Sequence, residues 1–125
     1  MLNEPELFAF LDHRPLFLGH CLLVPKKHVG TLSDLPARLV EPFFGAMQRL
    51  ARAVEAAMQA DGTLIATNNK VSQSVPHLHV HIVPRRKKDG LRGFFWPRQK
   101  YPTEQVRDEV AARIREALAD SRPER

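Results

Sequence analysis

The strongest constraint in this 125-residue chain is the run His77-Leu78-His79-Val80-His81-Ile82-Val83, which packs three of its six histidines into five residues. Strict alternation of polar and apolar side chains is the pattern of a β-strand with one buried face. Successive side chains of a strand point to opposite sides, so Leu78, Val80 and Ile82 would seat it on a core. His77, His79 and His81 would then share the other face, spaced roughly 7 Å apart. Chance puts such a triplet into about one chain in a hundred of this composition, so the pattern calls for a site.

The remaining periodicities supply the scaffold. Leu7 to Leu11 and Leu16 to Val24 are apolar runs separated by Asp12-His13-Arg14-Pro15, which reads as two strands of a hairpin. From Pro36 to Ala60, apolar residues recur at three- and four-residue spacing, a helix lying on a core, with Ser33 or Asp34 as its cap and Gly62 as its stop. Pro42 interrupts that pattern and predicts a main helix beginning near Pro42. Thr63 to Thr67 is a further strand. Val106, Val110, Ile114 and Leu118 mark a C-terminal helix over 103–120, capped by Thr103, with Pro123 beyond its end. The expected architecture is α+β: an antiparallel sheet of about five strands, a long central helix and a C-terminal helix, in a single domain over 1–125.

Charge is unevenly placed. Residues 85–100 hold seven Lys/Arg against one Asp, leaving the rest of the chain with 12 basic against 13 acidic residues. Within this basic and aromatic loop (85–101), Arg85, Arg86, Lys87 and Lys88 are expected to meet an anion. The lone Cys21 has no disulfide partner and sits in an apolar run, which predicts a buried, inert thiol and a reducing, cytoplasmic setting. The first six residues lack the features of a secretion signal, and no window is apolar enough to span a bilayer, so no membrane association is expected.

Imidazoles in a row can ligate zinc or attack phosphorus. No Asp, Glu or Cys lies within the six residues before His77 or the seven after His81, whereas Gln73, Ser74, Arg85, Arg86, Lys87 and Lys88 do. Hydrogen-bond donors and cations suit an anionic phosphate rather than a cation, so no metal and no cofactor is expected. His13 reads as an exposed turn residue and His28 as a structural one. Phe94, Phe95 and Trp96 between Arg92 and Arg98 could stack on a nucleic-acid base, although a packed loop is the commoner outcome, and nucleic-acid binding is not favoured.

Gln73-Ser74-Val75-Pro76-His77-Leu78-His79-Val80-His81-Ile82-Val83-Pro84-Arg85 resembles the signature of the histidine triad (HIT) family, and Gly19-His20-Cys21-Leu22-Leu23-Val24-Pro25-Lys26-Lys27-His28 resembles that family's second block. The resemblance implies a nucleotide hydrolase cleaving at the α-phosphate of a nucleoside phosphoramidate or a dinucleoside polyphosphate, with adenosine as the expected nucleoside. It implies His79 as the nucleophile that becomes nucleotidylated, His77 as its orienting neighbour and His81 as a hydrogen-bonding partner of the phosphate. Ser74 and His20 would assist catalysis. Asp12 would accept the ribose hydroxyls, Phe10 would line the base wall, and Asn68 and Gln73 would contact substrate. A homodimer with sheets joined across the interface is also implied. The alternatives are a nucleotidyl transferase or phosphorylase, and a non-catalytic module that binds nucleotide or nucleic acid.

Overall fold

The computed structural model describes residues 1–91 and 98–121; residues 1–89 form one compact unit and the described residues from 90 onward a second. The first unit carries the strands β1 (Leu2–Asn3), β2 (Leu7–Leu11) and β3 (Cys21–Pro25), a 3₁₀ turn (Leu32–Asp34), the helix α1 (Ala37–Ala57), and the strands β4 (Gly62–Ala66) and β5 (Val80–Arg85). The five strands form one antiparallel sheet in the order β1-β2-β3-β5-β4. The second unit holds the helix α2 (Glu104–Asp120), whose Thr103 hydroxyl accepts the Val106 N–H at 3.1 Å, as its sequence predicts. Phe94, Phe95 and Trp96 lie outside the described residues.

One face of the sheet is the core face. Leu7, Ala9, Cys21, Leu23, Val80 and Ile82 are all buried and pack with Leu39, Phe43, Ala46, Leu50 and Val54 of α1. The register fixes which side chains take the other face. Leu22 lies opposite both Phe10 and His81, and His81 lies opposite Ala66, so Phe10, Leu22, His81 and Ala66 form one row across four strands. Phe8, two residues before Phe10, belongs to that face as well, and its ring stacks on Phe10 with centroids 5.6 Å apart.

Five sequence expectations need correction. The helix does not begin near Pro42 but at Ala37, and it runs through Pro42. An interior proline costs about 3 kcal/mol, whereas burying a large apolar side chain yields about 1.5–3 kcal/mol; Leu39 on one side of Pro42 and Phe43 on the other, both buried, hold the helix together. Asp34 does not cap this helix. It closes a capping box on the preceding 3₁₀ turn, accepting from Thr31 N–H at 3.1 Å and Thr31 hydroxyl at 2.8 Å. The helix ends at Ala57, with Gln59 at φ 50°, and Gly62 opens β4 instead of stopping α1.

The third strand begins at Cys21 and not at Leu16, because Gly19 at φ +98° turns the chain and Leu16 and Leu18 are exposed. The histidine strand begins at Val80, so His77 and His79 precede the sheet ladder. Two-residue β1 had no pattern from which to be read. Cys21 is buried as expected; its Sγ–H donates to Gly19 carbonyl at 3.2 Å, and burial pushes its thiol pKa up.

Pro42 supplies the first test. Its nitrogen cannot donate to the Arg38 carbonyl, so Pro42→Ala restores one helical bond in a helix that is already formed. The substitution is expected to stabilise the protein by about 2 kcal/mol, read as a higher midpoint in urea with an unchanged m value. An unchanged or lower midpoint contradicts this account of the helix.

Candidate active site

The histidines are not a row of equals. His77 is tied to the loop after β3: its Nε2 lies 2.8 Å from the Pro25 carbonyl, its Nδ1 accepts the Val29 N–H at 3.4 Å, and its ring stacks on His28 with centroids 5.5 Å apart. Because a backbone N–H can only donate, Nδ1 of His77 is the acceptor and Nε2 carries the proton. Both nitrogens are therefore occupied, and the ring is a fixed strut. Its backbone completes the role, since the His77 carbonyl receives Nδ1–H of His79 at 2.7 Å. The His79 carbonyl in turn accepts the Thr67 hydroxyl at 2.8 Å. In the neutral ring of His79, the bond to the His77 carbonyl holds the proton on Nδ1 and leaves Nε2 as the lone pair.

A second chain of bonds orders His81. Leu16 N–H donates to His20 Nδ1 at 3.0 Å, which puts the His20 proton on Nε2. That nitrogen stands 3.0 Å from His81 Nδ1, so His81 accepts there and bears its own proton on Nε2. The His79 and His81 rings meet edge to face with centroids 5.3 Å apart. One imidazole of this pair presents a lone pair and the other an N–H. That is the combination required to attack a phosphorus atom and assist a departing group.

Electrostatics favour the neutral form of both rings of the second chain. Burial lowers the His20 pKa, with partial opposition from the Asp12 carboxylate. Burial lowers that of His81 too, reinforced by His20 and His79 and opposed by Asp12. Asp12 itself sits beside this pair, with Oδ1 accepting Arg14 N–H at 2.9 Å and Oδ2 3.7 Å from His20 Nε2.

Asp12, His20 and His81 bring three potential ligand atoms within 4.8 Å of one another. A cation there needs a lone pair on His20 Nε2, which is where the Leu16 bond puts the proton. The donor set thus suits a hydrogen-bond relay and does not fit a metal without breaking that bond.

The other residues expected at the site take varied positions. Phe10 shares the exposed sheet face with Phe8, an aromatic partner that the sequence reading passed over although the two-residue spacing marks it. Gln73 clamps two loops: its amide N–H donates to Gly30 carbonyl at 2.7 Å and its oxygen accepts Lys70 N–H at 3.0 Å. Asn68 donates to Ser72 carbonyl at 3.3 Å, and Ser74 is exposed. His13 is 91% exposed.

Of the four cations expected to meet an anion, Arg85 pairs with Asp89 at 2.6 Å, and the Arg86 guanidinium donates to Met58 carbonyl at the end of α1. Both lie at the far end of β5 from His79. Leu16, Pro25 and Thr67 contribute to the site through backbone groups or a single hydroxyl, and the first two carry no side-chain signal at all.

Comparison with known proteins bears on the whole arrangement. The HIT domain model matches residues 1–88. An uncharacterized HIT-like protein of Mycobacterium tuberculosis is 41% identical over 85 residues, 66% of this chain, which spans only 59% of that protein's length. The bis(5'-nucleosyl)-tetraphosphatase of Schizosaccharomyces pombe is 34% identical over 65% of this chain and 46% of its own. The adenosine 5'-monophosphoramidase of Saccharomyces cerevisiae is 35% identical over 80% of this chain and 62% of its own. Among solved structures, a Streptococcus mutans protein superposes with a TM-score of 0.84 at 31% identity, covering 94% of this chain and 75% of the other.

The neutral rings predict a pH dependence. His20 and His81 bind a proton less readily folded than unfolded, so acid favours the unfolded chain: stability is full above the usual histidine value of 6.5 and falls as pH drops below it. Thermal melts are expected to give a constant Tm down to about pH 6.5 and a falling one below, with a flatter fall in His20→Gln. A Tm that rises on acidification overturns the neutral assignment.

Proposed function

This chain belongs to the HIT domain family, and from that premise we propose that it is a nucleotide hydrolase which cleaves at the α-phosphate through a nucleotidyl group carried on His79. The observation that carries the reading is the bond from His79 Nδ1–H to the His77 carbonyl, which leaves Nε2 as the free lone pair beside the His81 ring. In the first step, Nε2 attacks the α-phosphorus, a P–N bond forms, and the bond to the leaving group breaks with its electron pair on that group. The His81 Nε2–H lies on the same face of the sheet and is the donor available to the departing atom. In the second step, water attacks the same phosphorus, the P–N bond breaks, and a nucleoside monophosphate leaves as His79 recovers its lone pair. The proton lost by the water passes to solvent, and His81 keeps its Nε2–H throughout as a hydrogen-bond donor.

Relatives named as a tetraphosphatase and a phosphoramidase support both a dinucleoside polyphosphate and a nucleoside phosphoramidate as substrates. The stacked Phe8 and Phe10 support a purine, because two rings offer a wide apolar plane for a base. Asp12 is assigned to the ribose hydroxyls, Asn68 and Ser74 to phosphate oxygens, and His20 to holding His81 in its tautomer. Gln73 contributes by shaping the loop that carries Ser74.

A homodimer fits the same fold. Among the described residues, the outer edge of β4 has no partner strand, and a groove of about 940 Å³ beside it is lined by Phe44, Met47, Ala51 and Ile65. Phe44 and Ile65 are close to half exposed there. No helix among the described residues is long and apolar enough to cross a membrane.

Two measurements test these readings. Incubation with adenosine 5'-phosphoramidate or a diadenosine polyphosphate is expected to release AMP, with kcat falling about a thousandfold or more in His79→Ala. An acid-labile adduct is expected on the unsubstituted protein only; adduct formation by His79→Ala moves the nucleophile to another residue, and no turnover by the unsubstituted protein sinks the hydrolase reading. Light scattering is expected to give a dimer mass that Ile65→Lys converts to a monomer mass; a monomer mass before substitution overturns the dimer.

A further inference from the structure

A cation outside the basic run stands beside the site. Arg14 stands in the turn after β2, and together with His20, Leu64, Ala66, His81 and Val83 it lines a cavity of about 360 Å³ on the exposed face of the sheet. Its side chain has no hydrogen bond or ion pair among the described residues, in contrast to Arg38, Arg49 and Arg85, which pair with Glu6, Glu4 and Asp89. Its backbone is well held all the same. Arg14 N–H is bound by Asp12 Oδ1 at 2.9 Å, and Pro15 confines the residue before it to extended conformations. A guanidinium with a pinned base and an uncommitted head beside a catalytic imidazole is a ready anion receptor.

The direction of displacement says what that anion is. Phe8 and Phe10 lie on β2, to one side of His81 along the row that crosses the sheet, while Ala66 of β4 lies to the other. In-line attack by His79 expels the leaving group on the far side of phosphorus from His79, and because the same face of β5 continues from His81 to Val83, that side is the cavity that Arg14 lines. We infer that Arg14 receives the phosphate chain of an anionic leaving group and so makes this site selective for dinucleoside polyphosphates over phosphoramidates. When the bond from α-phosphorus to bridging oxygen breaks, the electron pair stays on that oxygen, His81 Nε2–H shares its proton with it, and the charge left on the departing phosphates faces the guanidinium. The amine released from a phosphoramidate leaves no such charge. This inference rests on the hydrolase reading above for its substrates, but not for its anion site.

The test compares kcat/KM for diadenosine tetraphosphate and adenosine 5'-phosphoramidate in the unsubstituted protein, Arg14→Gln and Arg14→Lys, alongside calorimetric binding of inorganic tripolyphosphate to each. Arg14→Gln is expected to lower the polyphosphate-to-phosphoramidate ratio about tenfold and to weaken tripolyphosphate by a similar factor, with Arg14→Lys recovering part of both. An unchanged ratio, or equal loss on both substrates, together with unchanged tripolyphosphate binding, overturns the assignment of Arg14 while leaving the hydrolase reading intact. Absence of turnover on either substrate, with tripolyphosphate binding still dependent on Arg14, overturns the hydrolase and leaves the anion site standing.

Discussion

Three backbone groups decide where the protons of this site reside. The Leu16 N–H, the Pro25 carbonyl and the His77 carbonyl each engage one imidazole nitrogen, and a backbone amide cannot exchange the roles of donor and acceptor as a histidine ring can. From those three contacts the tautomers of His20, His77, His79 and His81 all follow. The consequence is an asymmetric pair, with a lone pair on His79 and an N–H on His81, built from chemically identical side chains. If the rings were free to choose, half of the combinations would present two lone pairs or two protons and would lack either the donor or the nucleophile.

Burial reinforces this order. His20 is 6% exposed and has its charged form disfavoured by desolvation, and His81 adds the mutual repulsion of neighbouring imidazoles. Asp12 opposes both effects without reversing them, since its Oδ1 is already drawn into the turn by Arg14 N–H. A protonated His20 would still have an Nε2–H to give, but its Nδ1 would then point a second proton at the Leu16 amide, so the bond that orders the relay also resists its protonation. Packing and hydrogen bonding therefore act in the same sense.

The sheet acts as a divider. Its inner face, closed by Leu39, Phe43 and Ala46 of α1, provides the rigidity, and its outer face carries Phe8, Phe10 and His81 at spacings set by the strands. Charge follows a different logic from the one that the linear sequence suggests. The dense cations of the basic run include two that are engaged with Asp89 and with the end of α1, whereas a lone arginine in the turn after β2 stands beside the imidazoles. Local density of charge measures what a segment contains, not what its side chains are free to contact.

Much of this protein was legible before any coordinates. Alternation of apolar residues around His79 and His81, the helical stripe through Leu39, Phe43 and Leu50, and the capped helix at Thr103 report on short-range periodicities that a linear chain carries openly, and the HIT-like signature pointed to the family. The helix through Pro42 was misread because the packing of Leu39 and Phe43 is a long-range energy that no local propensity contains. His77 was read as the neighbour that orients His79, but what holds His77 itself was not legible, because nothing near it in sequence announces the Pro25 carbonyl, 52 residues away. The same holds for Leu16 and His20, whose effect on His81 crosses 61 residues. Residue types and their spacing determined which groups the site could use; only the tertiary fold decided which nitrogen of each ring holds the proton and which arginine is free, because both depend on backbone groups and partners brought together by the closing of the sheet.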